Sequence, residues 1–183
     1  AIGYDLYLDL LQRTVADLKA RTIDGTAENL ADDLDPEINL QLSAFIPPDY
    51  ISDINQRYLI YRRIAALAKA GDDQFNDLRD EMVDRYGPLP NETETLLKVI
   101  DTKRALSSLR SHKLERGLNT LVFSFQDDTP LQATDILQFI ASRSGKRKGT
   151  PPKITQDGRL VIHGDFSDHD AIFKVIKKTI NDL

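Results

Sequence analysis

Gly87-Pro88-Leu89-Pro90 sets three helix-breaking residues within four positions in the middle of the chain's longest helical pattern. Two prolines within three residues remove two backbone donors and fix two φ angles, and the glycine tolerates the left-handed conformation that ends helices. Pro47-Pro48 and Gly71 punctuate the chain earlier. The apolar pattern between these breaks must therefore be divided among short helices that pack on one another.

Ser52 or Asp53 can cap a helix that carries Ile54, Tyr58, Tyr61, Ala65 and Ala68 on one side, with Ile64 widening that face, and that stops at Gly71. A second helix is expected from Asp72 to Tyr86. Phe75, Leu78, Met82 and Tyr86 recur there at steps of three and four and form its core face. The tight joint predicts that these two helices pack antiparallel. A third helix is expected from Asn91 to Ser111, with Leu96, Ile100 and Leu109 on its stripe.

Strand signals flank this helical middle. Ile38, Leu40, Leu42, Ala44 and Ile46 alternate with other residues up to Pro47, the period of a strand with one buried face. Leu118–Gln126 reads as another strand, and Thr129-Pro130 as the opening of a helix that lasts to Arg143. A polar, basic loop from Ser144 to Pro152 precedes a hairpin around Asp157-Gly158, and a last helix runs from Asp168 to the end. The expected class is α+β, a small antiparallel sheet with several helices packed on it.

An N-terminal helix should precede it, with Tyr4, Leu8, Leu11, Val15 and Leu18 on one stripe. From Arg21 to Pro36 the acids Asp24, Glu28, Asp32, Asp33 and Asp35 dominate, as in a solvated linker. The expected organisation is a helix and acidic linker at 1–36 and one domain at 37–183. The chain opens Ala1-Ile2-Gly3-Tyr4 and becomes periodic at once, as expected of a piece of a longer polypeptide.

With 183 residues, 40% of them hydrophobic, the chain can bury a core without metals or crosslinks. It has no cysteine, which excludes disulfides, thiolate zinc ligands and a cysteine nucleophile, and fits a reducing compartment such as the cytoplasm. Charge interrupts every apolar run, so no membrane span is expected. A net charge of -5 argues against a broad basic surface.

Catalytic motifs are missing. Ser144-Gly145-Lys146-Arg147-Lys148-Gly149-Thr150 only superficially resembles a phosphate-binding loop: the glycine spacing is wrong and Arg147 stands where a hydroxyl is needed. Lys146, Arg147 and Lys148 could touch nucleic-acid phosphate, extended by Lys174, Lys177 and Lys178 of the last helix, although a solvated loop explains them as well. His163, Asp165, Asp168, His169 and Asp170 concentrate metal-ligand types, but as a polar turn that caps the last helix they need no metal. Neither a cofactor nor a catalytic site is expected.

The helix at 72–86 breaks a local rule. At 100° per residue Asp73, Asp77, Asp80, Glu81 and Asp84 fall within about 100° of one another, opposite the core face. Like charges at spacing four cost roughly 0.2–0.5 kcal/mol per pair. Dipole compensation explains the first turn but not Glu81 or Asp84, near the other end. The stripe is expected to be a docking surface for a basic partner, and Arg57, Arg62, Arg63 and Arg85 are assigned to internal pairing.

Pro48-Asp49-Tyr50-Ile51, then Asp53, Arg57 and Tyr61-Arg62-Arg63-Ile64-Ala65, and then Glu81-Met82-Val83-Asp84-Arg85-Tyr86-Gly87-Pro88-Leu89-Pro90 resemble the signature of the C-terminal domain of bacterial transcription-repair coupling factors, with the likeness extending from about Glu37 to Phe125. The opening Gly3-Tyr4-Asp5-Leu6-Tyr7-Leu8 is similar to the segment that leaves that family's translocase domain. The resemblance implies a regulatory role. In the family, an ATP-driven superfamily 2 motor displaces stalled RNA polymerase from DNA and recruits excision repair. The C-terminal domain packs on an N-terminal excision-repair-like module of the same protein and hides its site for the damage-recognition ATPase. The family's acidic contacts carry over to Glu81 and Asp84, with Asp77 one turn earlier. The chain is then a monomeric, non-catalytic domain. The alternative is an auxiliary nucleic-acid contact of the same translocase.

Overall fold

The computed structural model describes residues 34–67, 72–144 and 150–183. The helix expected at 4–18, the linker up to residue 33 and the stop at Gly71 lie outside the described residues. Two compact units divide the chain: Ser43–Asp101 belongs to one, and Leu34–Leu42 with Thr102–Leu183 forms the other.

The first unit is helical. Asp53 opens α1 (Ile54–Leu67): its carboxylate accepts the amides of Asn55 at 2.8 Å and Gln56 at 2.9 Å, donors that have no partner inside the helix. α2 (Asp72–Tyr86) ends at Gly87, whose φ of 87° is the left-handed value and whose amide donates to the Val83 carbonyl at 2.9 Å. The two prolines follow, and α3 (Asn91–Ser108) begins directly after Pro90.

One core holds this unit together. Ile60, Ile64 and Leu67 of α1, Leu78 and Met82 of α2, and Leu96, Leu97 and Ile100 of α3 are buried in it with Ala44, Ile46 and Ile51. Phe75 and Tyr86 pack against it, so the expected core face of α2 is the observed one. The face of α1 differs from expectation. Ile54 is 65% exposed, and the buried side is centred on Ile60 and Ile64. Tyr61 contributes to the shift, because it lies at the rim where its hydroxyl finds a partner. Tyr61 Oη accepts the Ile46 amide at 2.7 Å, and the Tyr50 hydroxyl lies 2.9 Å from the Gly87 carbonyl and 3.1 Å from that of Met82.

The second unit is a five-stranded sheet with helices. Its strands are β1 (Glu37–Asn39), β2 (Ser111–Arg116), β3 (Thr120–Phe125), β4 (Lys153–Ile154) and β5 (Leu160–His163), in the order β1-β2-β3-β5-β4. The pairs β2–β3, β3–β5 and β5–β4 are antiparallel, as expected, whereas β1 joins β2 in parallel and makes the sheet mixed. With α4 (Ala133–Arg143) and α5 (His169–Asp182) the architecture is the expected α+β.

Register places Ile38, Leu114, Phe123, Leu160 and Ile154 opposite one another across all five strands. Leu114, Phe123 and Leu160 of that row are fully buried, in a core shared with Ile136 and Phe139 of α4 and Ile172 and Ile176 of α5. Gly158, at φ 76°, makes the hairpin turn expected between β4 and β5.

Three boundaries depart from the sequence pattern. α3 ends at Ser108, and the chain turns through Arg110 at φ 52° into β2. Ser-His-Lys-Leu-Glu-Arg offers only Leu114 as an apolar signal, so the strand is hidden in its sequence. The alternating run at 38–46 is a strand only to Asn39, because Gln41 adopts φ 55°; Leu40 then serves the sheet core while Ala44 and Ile46 serve the helical one. α4 starts at Ala133 rather than Pro130: the Thr129 hydroxyl donates to the Leu109 carbonyl at 2.7 Å, and the Gln132 amide donates to the Asp135 carboxylate at 2.9 Å. No helix among the described residues is long and apolar enough to cross a membrane.

Candidate protein-interaction site

α2 presents two unlike sides. Leu78 and Met82 are buried, and on the far side Asp77, Asp80 and Asp84 are exposed, with Val83 41% exposed beside them. Asp73 stands in the first turn of α2, and its side chain lies outside the described set.

Glu81 stands apart from the other acids of the stripe. Arg63 of α1 grips its carboxylate with two hydrogen bonds, at 2.8 and 2.6 Å, and Arg85, one turn on along α2, reaches it at 3.2 Å. The Arg63 hydrogen bonds, helped by Arg85, lower the Glu81 pKa from 4.5 to about 2. Arg79 extends instead towards Glu94 of α3, 3.5 Å away. The arginines around the stripe are thus committed to Glu81 and Glu94. Asp77, Asp80 and Asp84 have no ion-pair partner among the described residues.

The remaining arginines of the helical unit are also engaged internally. Arg57 donates to the Ile51 and Ser52 carbonyls, and the Arg62 guanidinium lies 5.9 Å from the centroid of the Tyr58 ring. A bidentate Arg63–Glu81 pair between two helices has no local sequence signature, since the partners are 18 residues apart. Sequence reasoning could place both residues on helices but not aim them at each other.

The other candidates are placed as follows. Lys146, Arg147 and Lys148 lie outside the described residues. In the polar turn before α5, Asp165 accepts the Ser167 amide at 3.0 Å, and hydrogen bonds from Ser167 lower its pKa. Asp168 caps α5 by accepting the Asp170 amide at 3.0 Å. No group of three or more such ligands among the described residues is arranged to hold a metal ion. Asp128 pairs with Arg110 at 2.6 Å.

Comparison with known proteins covers both units. Residues 40–136 match the family model described as the TRCF domain. A transcription-repair-coupling factor of Myxococcus xanthus is 32% identical over 100% of this chain, and that of Escherichia coli K12 is 34% identical over 100% of it. A third, from Rickettsia bellii, is 33% identical over 98%. The chain spans only 14–15% of the length of these relatives. Among solved structures it resembles the crystal structure of a C-terminal domain of transcription-repair coupling factor, with a TM-score of 0.69 and 22% identity over 84% of this chain and 94% of that one. At that identity the likeness speaks for the fold.

Proposed function

The chain belongs to the transcription-repair coupling factor family, and from that premise we propose that residues 37–183 are a non-catalytic regulatory domain that docks on an N-terminal excision-repair-like module of the same polypeptide. Docking masks that module's binding site for the damage-recognition ATPase, and repair recruitment begins when the contact opens. RNA polymerase, the DNA under translocation and the motor's ATP would be handled by the motor and other parts of the full-length protein outside this chain, at work in the cytoplasm.

One observation carries this reading: Asp77, Asp80 and Asp84 share an exposed face while the neighbouring arginines are turned to Glu81 and Glu94. A face with like charges so close together is locally unfavourable, and a basic partner would relieve it. Interfacial charge pairs contribute orientation and partner choice more surely than affinity, which suits a contact that must release. Glu81 has a different part. Its carboxylate ties α2 to α1 and so holds the face in place.

Calorimetric titration of this chain with the separately produced N-terminal module tests the proposal. Binding is expected, weakening as salt rises, and Asp77→Arg with Asp84→Arg should lower affinity at least tenfold. Glu81→Gln should act mainly on thermal stability. Binding that survives the double reversal would remove the docking role from α2.

A further inference from the structure

The last helix carries the opposite charge pattern to α2. Ile172, Ile176 and Thr179 of α5 are buried, while Lys174, Lys177 and Lys178 are exposed. These lysines span about 100° of the helix surface. None has an ion-pair partner among the described residues. Asp170 lies one turn before Lys174 in the first turn of α5, and Asp182 near the other end is held by Arg143 at 2.5 Å.

Helix electrostatics do not account for this grouping. Lys174/Lys177 and Lys174/Lys178 are like-charge pairs at spacings three and four, which destabilise an isolated helix. The C-terminal dipole rewards cations in the last turn, and α5 has none there. The unit as a whole leans the same way, with fourteen Lys and Arg against eleven Asp and Glu in a chain whose total is -5.

We propose that the solvent face of α5 contacts the phosphate backbone of duplex DNA through Lys174, Lys177 and Lys178. The makeup of the face favours phosphate over protein. Lysine is depleted from the centres of protein interfaces, which rely on buried apolar or aromatic anchors. Every exposed large hydrophobic side chain among the described residues is elsewhere, and Phe173 and Val175 of α5 pack into the sheet core. Three flexible ammonium groups without an apolar anchor suit a contact that positions a duplex without reading its sequence. The proposal is independent of the role assigned to α2.

Fluorescence anisotropy of a labelled random-sequence duplex titrated with this chain decides it. Three phosphate contacts predict a slope near -2.7 in log K against log salt, or about a 40-fold loss of affinity between 50 and 200 mM. Lys174→Gln/Lys177→Gln/Lys178→Gln should abolish most of the binding and flatten the slope, with an unchanged circular-dichroism melt showing that the fold is intact. No binding by the wild-type chain at 50 mM salt would overturn the proposal. Undiminished binding by the triple variant would do the same, and loss only when Lys146, Arg147 and Lys148 are replaced would move the contact to that loop. Labelled polyglutamate provides the last arm: tighter binding to it than to DNA at equal salt would assign the face to an acidic protein and also overturn the proposal.

Discussion

Ser43–Asp101 carries seven Lys and Arg against eleven Asp and Glu, whereas Leu34–Leu42 with Thr102–Leu183 carries fourteen against eleven. The contrast extends to how the charges are placed. In the helical unit Arg63, Arg79 and Arg85 are turned onto acids of their own unit and the surplus aspartates face out from α2. In the sheet unit Arg110 and Arg143 are held by Asp128 and Asp182 while lysines of α5 face out. In both, the planar guanidinium is used for internal geometry, which its fixed fork suits, and one exposed helix face is left with unpaired charge of a single sign. Net charge of the whole chain conceals this division, so one figure of -5 misrepresents both surfaces.

Each unit also has its own core, and the strongest test of that separation is a cavity. Phe123→Ala, at a fully buried position of β3, should cost about 3–5 kcal/mol, measured by denaturant unfolding. Hydrogen exchange should then quicken most at amides of β2, β3 and β5 and less in α1 and α2. Uniform quickening would mean that the two cores respond as one.

Backbone strain should affect the units alike. Gly87, at φ 87°, and Gly158, at φ 76°, each have open space where a Cβ would stand, so alanine there meets only the penalty of the left-handed conformation. Gly87→Ala and Gly158→Ala should each cost about 1–2 kcal/mol, seen as a lower denaturant midpoint with an unchanged slope. A clearly larger loss at either would show that more than one turn depends on it.

The smallest effect is expected where charge ties α1 to α2. The Arg63–Glu81 pair is half exposed, so solvent screening limits Arg63→Ala to about 0.2–1 kcal/mol. Glu81 has its folded pKa lowered to about 2 from 4.5, so its contribution is complete above pH 4.5 and disappears as pH falls through 2. The variant should therefore lose less stability than wild type between pH 5 and pH 2. Parallel pH curves would show that the pair adds nothing in solution.

The same division explains what the sequence discloses. In the helical unit, Leu78 and Met82 recur at helical spacing, Asp53 caps and Gly87 stops, and all of these signals act within a few residues. The acidic face of α2 was legible for that reason. In the sheet unit β2 has one apolar residue in six, and its place depends on partners in β1 and β3. Arg63 and Glu81 belong with β2 in this respect, because which residues meet across two helices is decided by packing and not by spacing. The periodic pattern misplaces the face of α1 because Tyr61 looks apolar in it yet keeps its hydroxyl at the rim.

The chain order of the two units has a consequence during synthesis. β1 leaves the ribosome first, but its parallel partner β2 begins at Ser111, so Ser43–Asp101 is made between them. The helical unit has all of its core residues available while the sheet still has a single three-residue strand. Local contacts close quickly and distant pairings late, so the order of translation and the order of folding favour the same sequence of events. The emerging chain should carry a finished acidic helix for some time before the unit that bears the lysines has a sheet to rest on.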